Sequence, residues 1–188
     1  MRYLTTLVLL AALAFLHGCA AVAIGGAAAG GYMLGEERRP ASVLADDQAL
    51  EFKIANQISE KFVGSHVNTT SYNRMVLLTG EVQSAEMKAA VEKIARGTEN
   101  VRGVYNELTV GPVTALSART NDSYITGKVK SRFVDAGKFN ALHVKVVTES
   151  STVYLMGLVK RQEANDATEI ARTTAGVQRV VRAFEIQE

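Results

Sequence analysis

The sequence predicts an α+β fold built from two tandem copies of one small module, each a three-stranded mixed sheet with two helices on one face. Residues 46–110 and 121–188 repeat one pattern of apolar positions, in the order helix, strand, strand, helix, strand. The chain is 47% hydrophobic and 21% charged, with a net charge of +2, as is usual for a globular protein. This composition indicates neither a disordered chain nor a nucleic-acid-binding protein.

The first 18 residues have the features of a secretory signal peptide. Arg2 supplies a positive charge, residues 4–16 form an apolar run, and small residues precede Cys19. Leu16-His17-Gly18-Cys19 resembles a bacterial lipobox, which implies that the mature chain begins at an acylated Cys19. This is the only cysteine in the chain, so no disulfide can form within it. Ala20, where inner-membrane retention would use Asp, favours the outer membrane with the protein facing the periplasm.

Residues 19–45 are predicted to be the lipidated cysteine and a flexible tether. The segment is rich in Gly and Ala up to Gly35, and its composition changes abruptly at residues 36–40. A transmembrane helix extending to Leu34 is the alternative. Because Gly and Ala contribute little transfer energy or helix stability, the tether is favoured.

The periodicity of apolar residues assigns five elements in each copy. The first helix has Leu50, Ile54 and Ile58 at helical spacing in one copy, and Ile125, Val129 and Phe133 in the other. Two alternating strands then form a hairpin around Asn73-Arg74 or Ser150-Ser151, although neither turn has the Gly that a tight turn prefers. A second helix is predicted over 84–96 and 161–173, and a valine-rich strand over 101–110 and 176–186. Residues 111–120 are the predicted linker.

One glycine lies inside the second strand of each copy, Gly80 and Gly157. Glycine normally weakens a strand, so these positions are predicted to be structural, either at a bulge or at a close crossing with a helix.

The element order, the strand glycine and the closing Val-x-x-Val, as in Val101-Arg102-Gly103-Val104, resemble the BON family of small bacterial modules. The isolated Gly and Val motifs are specific only at the level of the family, whereas the stretch from Asn121 to Ser131 is the most specific part of a closer match, to an outer-membrane lipoprotein with two such modules. The family implies an αββαβ sandwich attached to membrane surfaces. Two such modules behind a lipobox resemble a dual-domain outer-membrane lipoprotein, which implies recognition of anionic phospholipid by the second module. It also implies a role in outer-membrane integrity and at the dividing septum.

The two copies differ in charge. Residues 46–110 contain seven basic and nine acidic side chains, a net charge of −2, whereas residues 111–188 contain eleven basic and eight acidic, a net charge of +3. Aligning Ile54 with Val129 places Ala49, Ala55 and Gln57 opposite Tyr124, Lys130 and Arg132. The first helix of the second copy has therefore gained an aromatic ring and two cations.

A helical projection of this helix groups Ile125, Val129, Phe133 and Ala136 on the core face. An exposed tyrosine suits the lipid headgroup boundary, and lysine attracts anionic lipid. The predicted phospholipid-binding residues are Tyr124, Gly127, Lys128, Lys130, Ser131, Arg132, Val134 and Lys138. The alternative is that Tyr124 packs into the contact between modules and that the lysines form an ordinary solvated face.

Catalysis and metal binding are poor fits to this sequence, and no cofactor is expected. His66 and His143 occupy equivalent strand starts in separate copies, and the sequence places no carboxylate pair or ligand cluster beside either one. Asp46-Asp47 and Asn121-Asp122 are interpreted as favouring the positive N-termini of helices.

The second functional hypothesis is a protein-interaction adaptor, engaging outer-membrane assembly machinery or peptidoglycan-associated partners. Phe52 is its candidate contact, although burial of Phe52 between the modules is slightly favoured.

Overall fold

Each copy of the repeat folds as helix, strand, strand, helix, strand in the computed structural model, which describes residues 37–188. The predicted α+β class, with two helices on one face of each sheet, is confirmed. The predicted signal peptide, Cys19 and most of the tether lie outside the described residues. Among residues 37–188, no helix is long and apolar enough to cross a membrane.

The first module contains two helices and a sheet with a broken edge strand. Its elements are α1 (Ala41–Lys61), β1 (His66–Tyr72), β2 (Met75–Val82), α2 (Ala85–Gly97), β3 (Gly103–Asn106) and β4 (Thr109–Val110). Strands β1 and β2 are antiparallel, while β3 and β4 both pair in parallel with β2. The short strands β3 and β4 are therefore two pieces of one edge strand, interrupted at Glu107 and Leu108.

The second module repeats this architecture with a continuous edge strand. Its elements are α3 (Leu116–Ala136), a 3₁₀ turn (Ala141–His143), β5 (Val144–Glu149), β6 (Thr152–Lys160), α4 (Arg161–Arg172) and β7 (Arg179–Gln187). The sheet order is β5-β6-β7, with β6 antiparallel to β5 and parallel to β7.

Both first helices begin five residues before the predicted module boundaries. Helix α1 begins at Ala41 within the predicted tether, and α3 begins at Leu116 within the predicted linker. Asp47 and Asp122 therefore lie in the second turn of each helix and are buried, so the interpretation that they favour helix N-termini is wrong.

The two buried aspartates instead hold the hairpin turns. The Asp47 carboxylate accepts hydrogen bonds from the backbone N–H groups of Asn73 (2.8 Å) and Arg74 (2.7 Å). Asp122 accepts the same pair from Ser150 (2.9 Å) and Ser151 (2.8 Å). All four turn residues have positive φ, between 47° and 62°, which is the geometry of a primed hairpin turn.

Each sheet has two buried faces. On one face, residues such as Val76 and Leu78 of β2 pack against the helices of their own module. On the other face, Leu77 of β2 contacts a shared cluster that includes Tyr154 and Met156 of β6. The two modules therefore pack sheet against sheet within one compact unit, Arg38–Glu188.

Gly80 and Gly157 allow the paired strand to approach closely. A Cβ added at Gly80 would lie 2.0 Å from the carbonyl oxygen of His66, and one at Gly157 would lie 2.4 Å from that of His143. The β1–β2 register continues through Gly80, whose close neighbour is the first residue of β1, so neither a bulge nor a helix crossing explains this glycine. Gly157 lies at the last β5–β6 pair, and its close neighbour His143 is the final residue of the 3₁₀ turn that leads into β5.

Candidate functional site

Helix α3 presents one face to the core of the second module and the opposite face to solvent. Ile125, Val129 and Phe133 are fully buried, as predicted. Ala136 was expected on the same face but is exposed, because it is the last residue of the helix. The chain turns away immediately after it at Gly137, which has a left-handed conformation with φ of 58°.

The outward face of α3, defined by Tyr124, Gly127, Ser131 and Val134, is open to solvent. Tyr124 is 66% exposed and Val134 is 69% exposed. A Cβ added at Gly127 would meet no atom within 4 Å. The alternative in which Tyr124 packs between the modules is therefore wrong.

Two lysines flank this outward face. The Lys128 ammonium lies 4.6 Å from the centroid of the Tyr124 ring, within range of a cation–π interaction, and it also donates to the carbonyl of Ala175. The Lys130 side chain is exposed, and within residues 37–188 it forms no hydrogen bond or ion pair. Lys130 is therefore the cation of α3 that is most available to an external anion.

Arg132 and Lys138, also predicted at the site, have partners within the module. The Arg132 guanidinium donates to the carbonyl of Ile170 (2.9 Å) and to the hydroxyl of Thr174 (2.7 Å), which ties α3 to the end of α4. Lys138 forms an ion pair with Asp166 at 2.9 Å. This ion pair holds the pKa of Asp166 below its usual range. Both cations thus help to orient α3 on its module.

Leu116 extends the apolar part of the outward face, and the sequence analysis did not predict it as a site residue. It is 73% exposed and precedes Val134 by 18 residues. That separation is about five turns of helix, so the two side chains lie on the same side of α3, about 27 Å apart. The sequence placed Leu116 in a linker because no apolar periodicity begins there.

A cluster of ionisable side chains lies at the junction of the two modules. His66 Nδ1 lies 3.2 Å from Glu81 Oε2 and 3.9 Å from Glu149 Oε1. The expectation that no carboxylate pair accompanies either histidine is therefore wrong. Glu149 is 83 residues from His66 and in the other module, so only the packing of the two sheets brings them together.

The two carboxylates of this cluster have opposite pKa shifts. Burial raises the pKa of Glu149, and the hydrogen bond from Asn68 only partly offsets this effect. Burial also raises the pKa of Glu81, but hydrogen bonds from Thr114 and His66 outweigh it, so the net pKa is lowered. Glu81 is therefore the better stabilised anion of the two.

Phe52 of α1 is 72% exposed, so the expectation that it is buried between the modules is wrong. Its neighbour Glu51 does contact the second module, through an ion pair with Lys145 at 2.5 Å. The first module thus presents an isolated aromatic ring to solvent beside the inter-module contact.

Comparison with known proteins identifies the repeated unit. A family model described as the BON domain matches residues 46–112 and 121–188. The outer membrane lipoprotein DolP of Haemophilus influenzae is 38% identical over 181 residues, which cover 95% of this chain and 93% of that protein. A 21 kDa hemolysin of Actinobacillus pleuropneumoniae is 31% identical over 149 residues, covering 78% and 77%. Osmotically-inducible protein Y of Escherichia coli is 27% identical over 140 residues, covering 72% and 70%.

Proposed function

Because this chain belongs to the BON-domain family and carries two copies of the domain, we propose that it is an outer-membrane lipoprotein whose second domain binds anionic phospholipid through α3. In this proposal, Cys19 carries the acyl anchor and the protein faces the periplasm. A relative that is 38% identical over nearly the whole chain is named as an outer membrane lipoprotein, which supports the proposed location at the outer membrane. The geometry of α3 supports the lipid-binding activity.

The observation that carries the proposal is the outward face of α3, where exposed apolar side chains lie beside available cations. The side chains of Tyr124 and Val134 are about two-thirds exposed, so their apolar surface is in contact with water. Removing this surface from water would be favourable. A tyrosine ring is suited to the headgroup boundary because its body is apolar and its hydroxyl is polar. Insertion of this face into the boundary region of a bilayer would bury both side chains.

The charges of α3 favour an anionic surface. Lys130 is exposed and the Lys128 ammonium lies over the Tyr124 ring, so α3 presents two cations together with its exposed aromatic side chain. Each basic residue near an anionic membrane contributes about 1 kcal/mol, and this contribution is weakened by salt. Arg132 adds to the positive field of the helix while its side chain holds α3 in place, whereas the charge of Lys138, just beyond the helix, is offset by Asp166.

The lipid anchor reduces the affinity that α3 needs. A module tethered to the membrane meets its ligand at a high effective concentration, so a weak contact is sufficient to keep it on the surface. Two cations and two apolar side chains give a contact of that modest strength.

The test is binding of the unacylated chain, beginning at Ala20, to vesicles with and without phosphatidylglycerol. We expect Tyr124→Ala with Lys130→Glu to weaken binding to anionic vesicles by about tenfold to 100-fold, since each lost contact contributes about 1 kcal/mol. Co-sedimentation at two salt concentrations would measure the loss, and the remaining binding should be less sensitive to salt.

The first module offers a matched control. Phe52→Ala with Lys53→Glu removes an exposed aromatic ring and an adjacent cation from α1, which is the helix equivalent to α3. We expect this variant to bind vesicles as the wild type does. Equal losses in both variants would contradict a site on α3, and so would binding that is unchanged by the α3 substitutions.

We further propose that lipid binding supports outer-membrane integrity, including at the division site. Cells lacking the protein should become permeable to large antibiotics. The wild-type chain and the α1 control should restore the barrier, whereas the α3 variant should not. Restoration by the α3 variant would separate the physiological role from lipid binding.

The exposure of Phe52 favours a second candidate, an adaptor for outer-membrane assembly machinery or peptidoglycan-associated partners. An isolated aromatic ring on a surface is a common anchor in protein interfaces. Photo-crosslinking from position 52 in intact cells tests this candidate. A single recurrent partner that disappears after Lys53→Glu would support the adaptor, whereas the absence of intermolecular products would contradict it.

A further inference from the structure

Three side chains from both modules converge at the inter-module junction: His66 at the start of β1, Glu81 near the end of β2, and Glu149 at the end of β5. Each offers one potential ligand atom, and the three atoms all lie within 4.8 Å of one another. This arrangement comes from the tertiary packing, because the first two residues belong to one module and Glu149 to the other.

We refer to His66, Glu81 and Glu149 together as the junction cluster. Its two carboxylates are buried. The Glu81 side chain is 6% exposed and that of Glu149 is 7% exposed. Within residues 37–188, the ion pairs that reach these two carboxylates come from His66. A buried pair of carboxylates needs compensating positive charge, and one imidazole supplies at most a single charge. A divalent cation would neutralise both carboxylates and leave the imidazole free to act as a neutral ligand.

The surroundings hold the ligand side chains in position. Thr114 donates to Glu81 through both its hydroxyl and its backbone N–H, the latter at 3.1 Å. Asn68 donates to Glu149 Oε2 at 2.9 Å and lies 3.4 Å from His66 Nε2. Hydrogen bonds of this kind orient ligands and fix the tautomer of a metal-binding imidazole. Glycine at position 80 also leaves room for the imidazole, because an added Cβ would lie 3.3 Å from His66 Nδ1.

We propose that the junction cluster binds one divalent transition-metal ion, with Zn²⁺ as the best fit, and that the bound ion ties the two modules together. The ligand atoms are His66 Nδ1 and one oxygen each from Glu81 and Glu149. Tetrahedral Zn²⁺ places neighbouring nitrogen and oxygen ligands about 3.3–3.5 Å apart. The observed separations of 3.2 Å and 3.9 Å bracket that distance, so small side-chain movements complete the site.

The cluster also has a path to solvent and room for a fourth ligand. His66, Asn68 and Glu149 line an open cavity of about 380 Å³, which Arg119 and Thr126 of α3 also border. A water molecule from this cavity can occupy the fourth position. The imidazole ligand selects Zn²⁺ over Mg²⁺ and Ca²⁺, which prefer all-oxygen ligand sets.

Calorimetric titration of the full acylated chain, in mild detergent after treatment with a chelator, tests the site. We expect one Zn²⁺ per chain, no detectable binding of Mg²⁺, and a rise in the thermal unfolding temperature on addition of Zn²⁺. His66→Gln and Glu149→Gln should each weaken Zn²⁺ binding by about tenfold or more, as loss of even an outer hydrogen-bonding partner does at metal sites. X-ray absorption at the zinc edge should show a single imidazole among oxygen ligands.

Glu185→Gln is the matched control. Glu185 also bridges the modules, through Asn73 (2.9 Å) and Arg102 (2.8 Å), but it lies outside the junction cluster. This variant should bind Zn²⁺ as the wild type does. Circular dichroism confirms that each variant is folded before titration. A wild-type chain that binds no Zn²⁺, an absorption spectrum without imidazole, or undiminished binding by both ligand variants would each overturn the proposal.

Discussion

Single glycines set the spacing of the strands in both modules. Gly80 and Gly157 occupy equivalent positions, and each faces the backbone carbonyl of a histidine: His66, the first residue of β1, or His143, the residue just before β5. The sequence identified both glycines as structural because glycine weakens a strand without a reason. It could not identify the reason, because the carbonyl that excludes a side chain is 14 residues away along the chain in each module.

Replacing these glycines should therefore destabilise the fold. We expect Gly157→Ala to lower the free energy of unfolding by about 1–3 kcal/mol, since the added methyl group would be forced against backbone. Gly80→Ala should cost more, because Gly80 also has a φ of 109°, which side chains rarely adopt. Urea unfolding followed by circular dichroism measures both changes.

Gly127 on the outward face of α3 is the control for the glycine substitutions. An added methyl group there meets no atom within 4 Å, and alanine favours a helix more than glycine does. Gly127→Ala should therefore raise the free energy of unfolding by about 0.5–1 kcal/mol. Similar changes at positions 127 and 157 would contradict the steric explanation.

At the level of elements, apolar periodicity predicted the order of the helices and strands in each module and the buried residues Ile54 and Val129 of the first helices. The same pattern did not reveal how the hairpin turns are stabilised. Asn73-Arg74 and Ser150-Ser151 adopt positive φ without glycine because Asp47 and Asp122, more than 25 residues earlier, accept the backbone N–H groups of the turns. Periodicity in the sequence indicates which residues share one face of a helix or strand, whereas these hydrogen bonds join the first helix of each module to its hairpin turn.

The candidate site on α3 also had one part that the sequence could predict and one part that it could not. Its exposed residues, Tyr124 and Val134, could be predicted because a helical projection separates the core face from the solvent face. The roles of its cations could not be separated in this way. Arg132 contacts the end of α4 and Lys138 contacts Asp166, and both partners lie in another helix of the module.

For the whole molecule, the main feature beyond the sequence interpretation is the packing of one sheet against the other. The sequence interpretation did not include burial of the second face of β2 or β6, although both strands contain continuous apolar runs, which are typical of strands that are buried on both faces. The shared cluster around Leu77, Tyr154 and Met156 makes the two modules one compact unit. It also brings His66 within reach of Glu149.

A long-range ion pair adds a pH-dependent contact to this unit. Arg38, just before α1, donates to both carboxylate oxygens of Glu163 in α4, at 2.6 Å and 2.7 Å, and to the carbonyl of Leu158. The hydrogen bonds from the Arg38 guanidinium lower the pKa of Glu163 from 4.5 to about 2. Because the pKa is lower in the folded chain, this contact stabilises the fold fully above pH 4.5 and is lost as the pH falls through about 2.

Removing the guanidinium should expose this pH dependence. We expect Arg38→Ala to lower the free energy of unfolding by about 1 kcal/mol at pH 7, as is usual for a partly exposed ion pair with good geometry. The difference from the wild type should stay constant down to pH 4.5 and become smaller as the pH falls towards 2, leaving the contribution of the hydrogen bond to the Leu158 carbonyl. Urea unfolding at several pH values would measure this change. Arg172→Ala, which breaks a more exposed ion pair with Glu169 within α4, should leave the stability nearly unchanged at pH 7. A difference for Arg38→Ala that persists unchanged at pH 2 would show that the contact acts through packing rather than through the charge of Glu163.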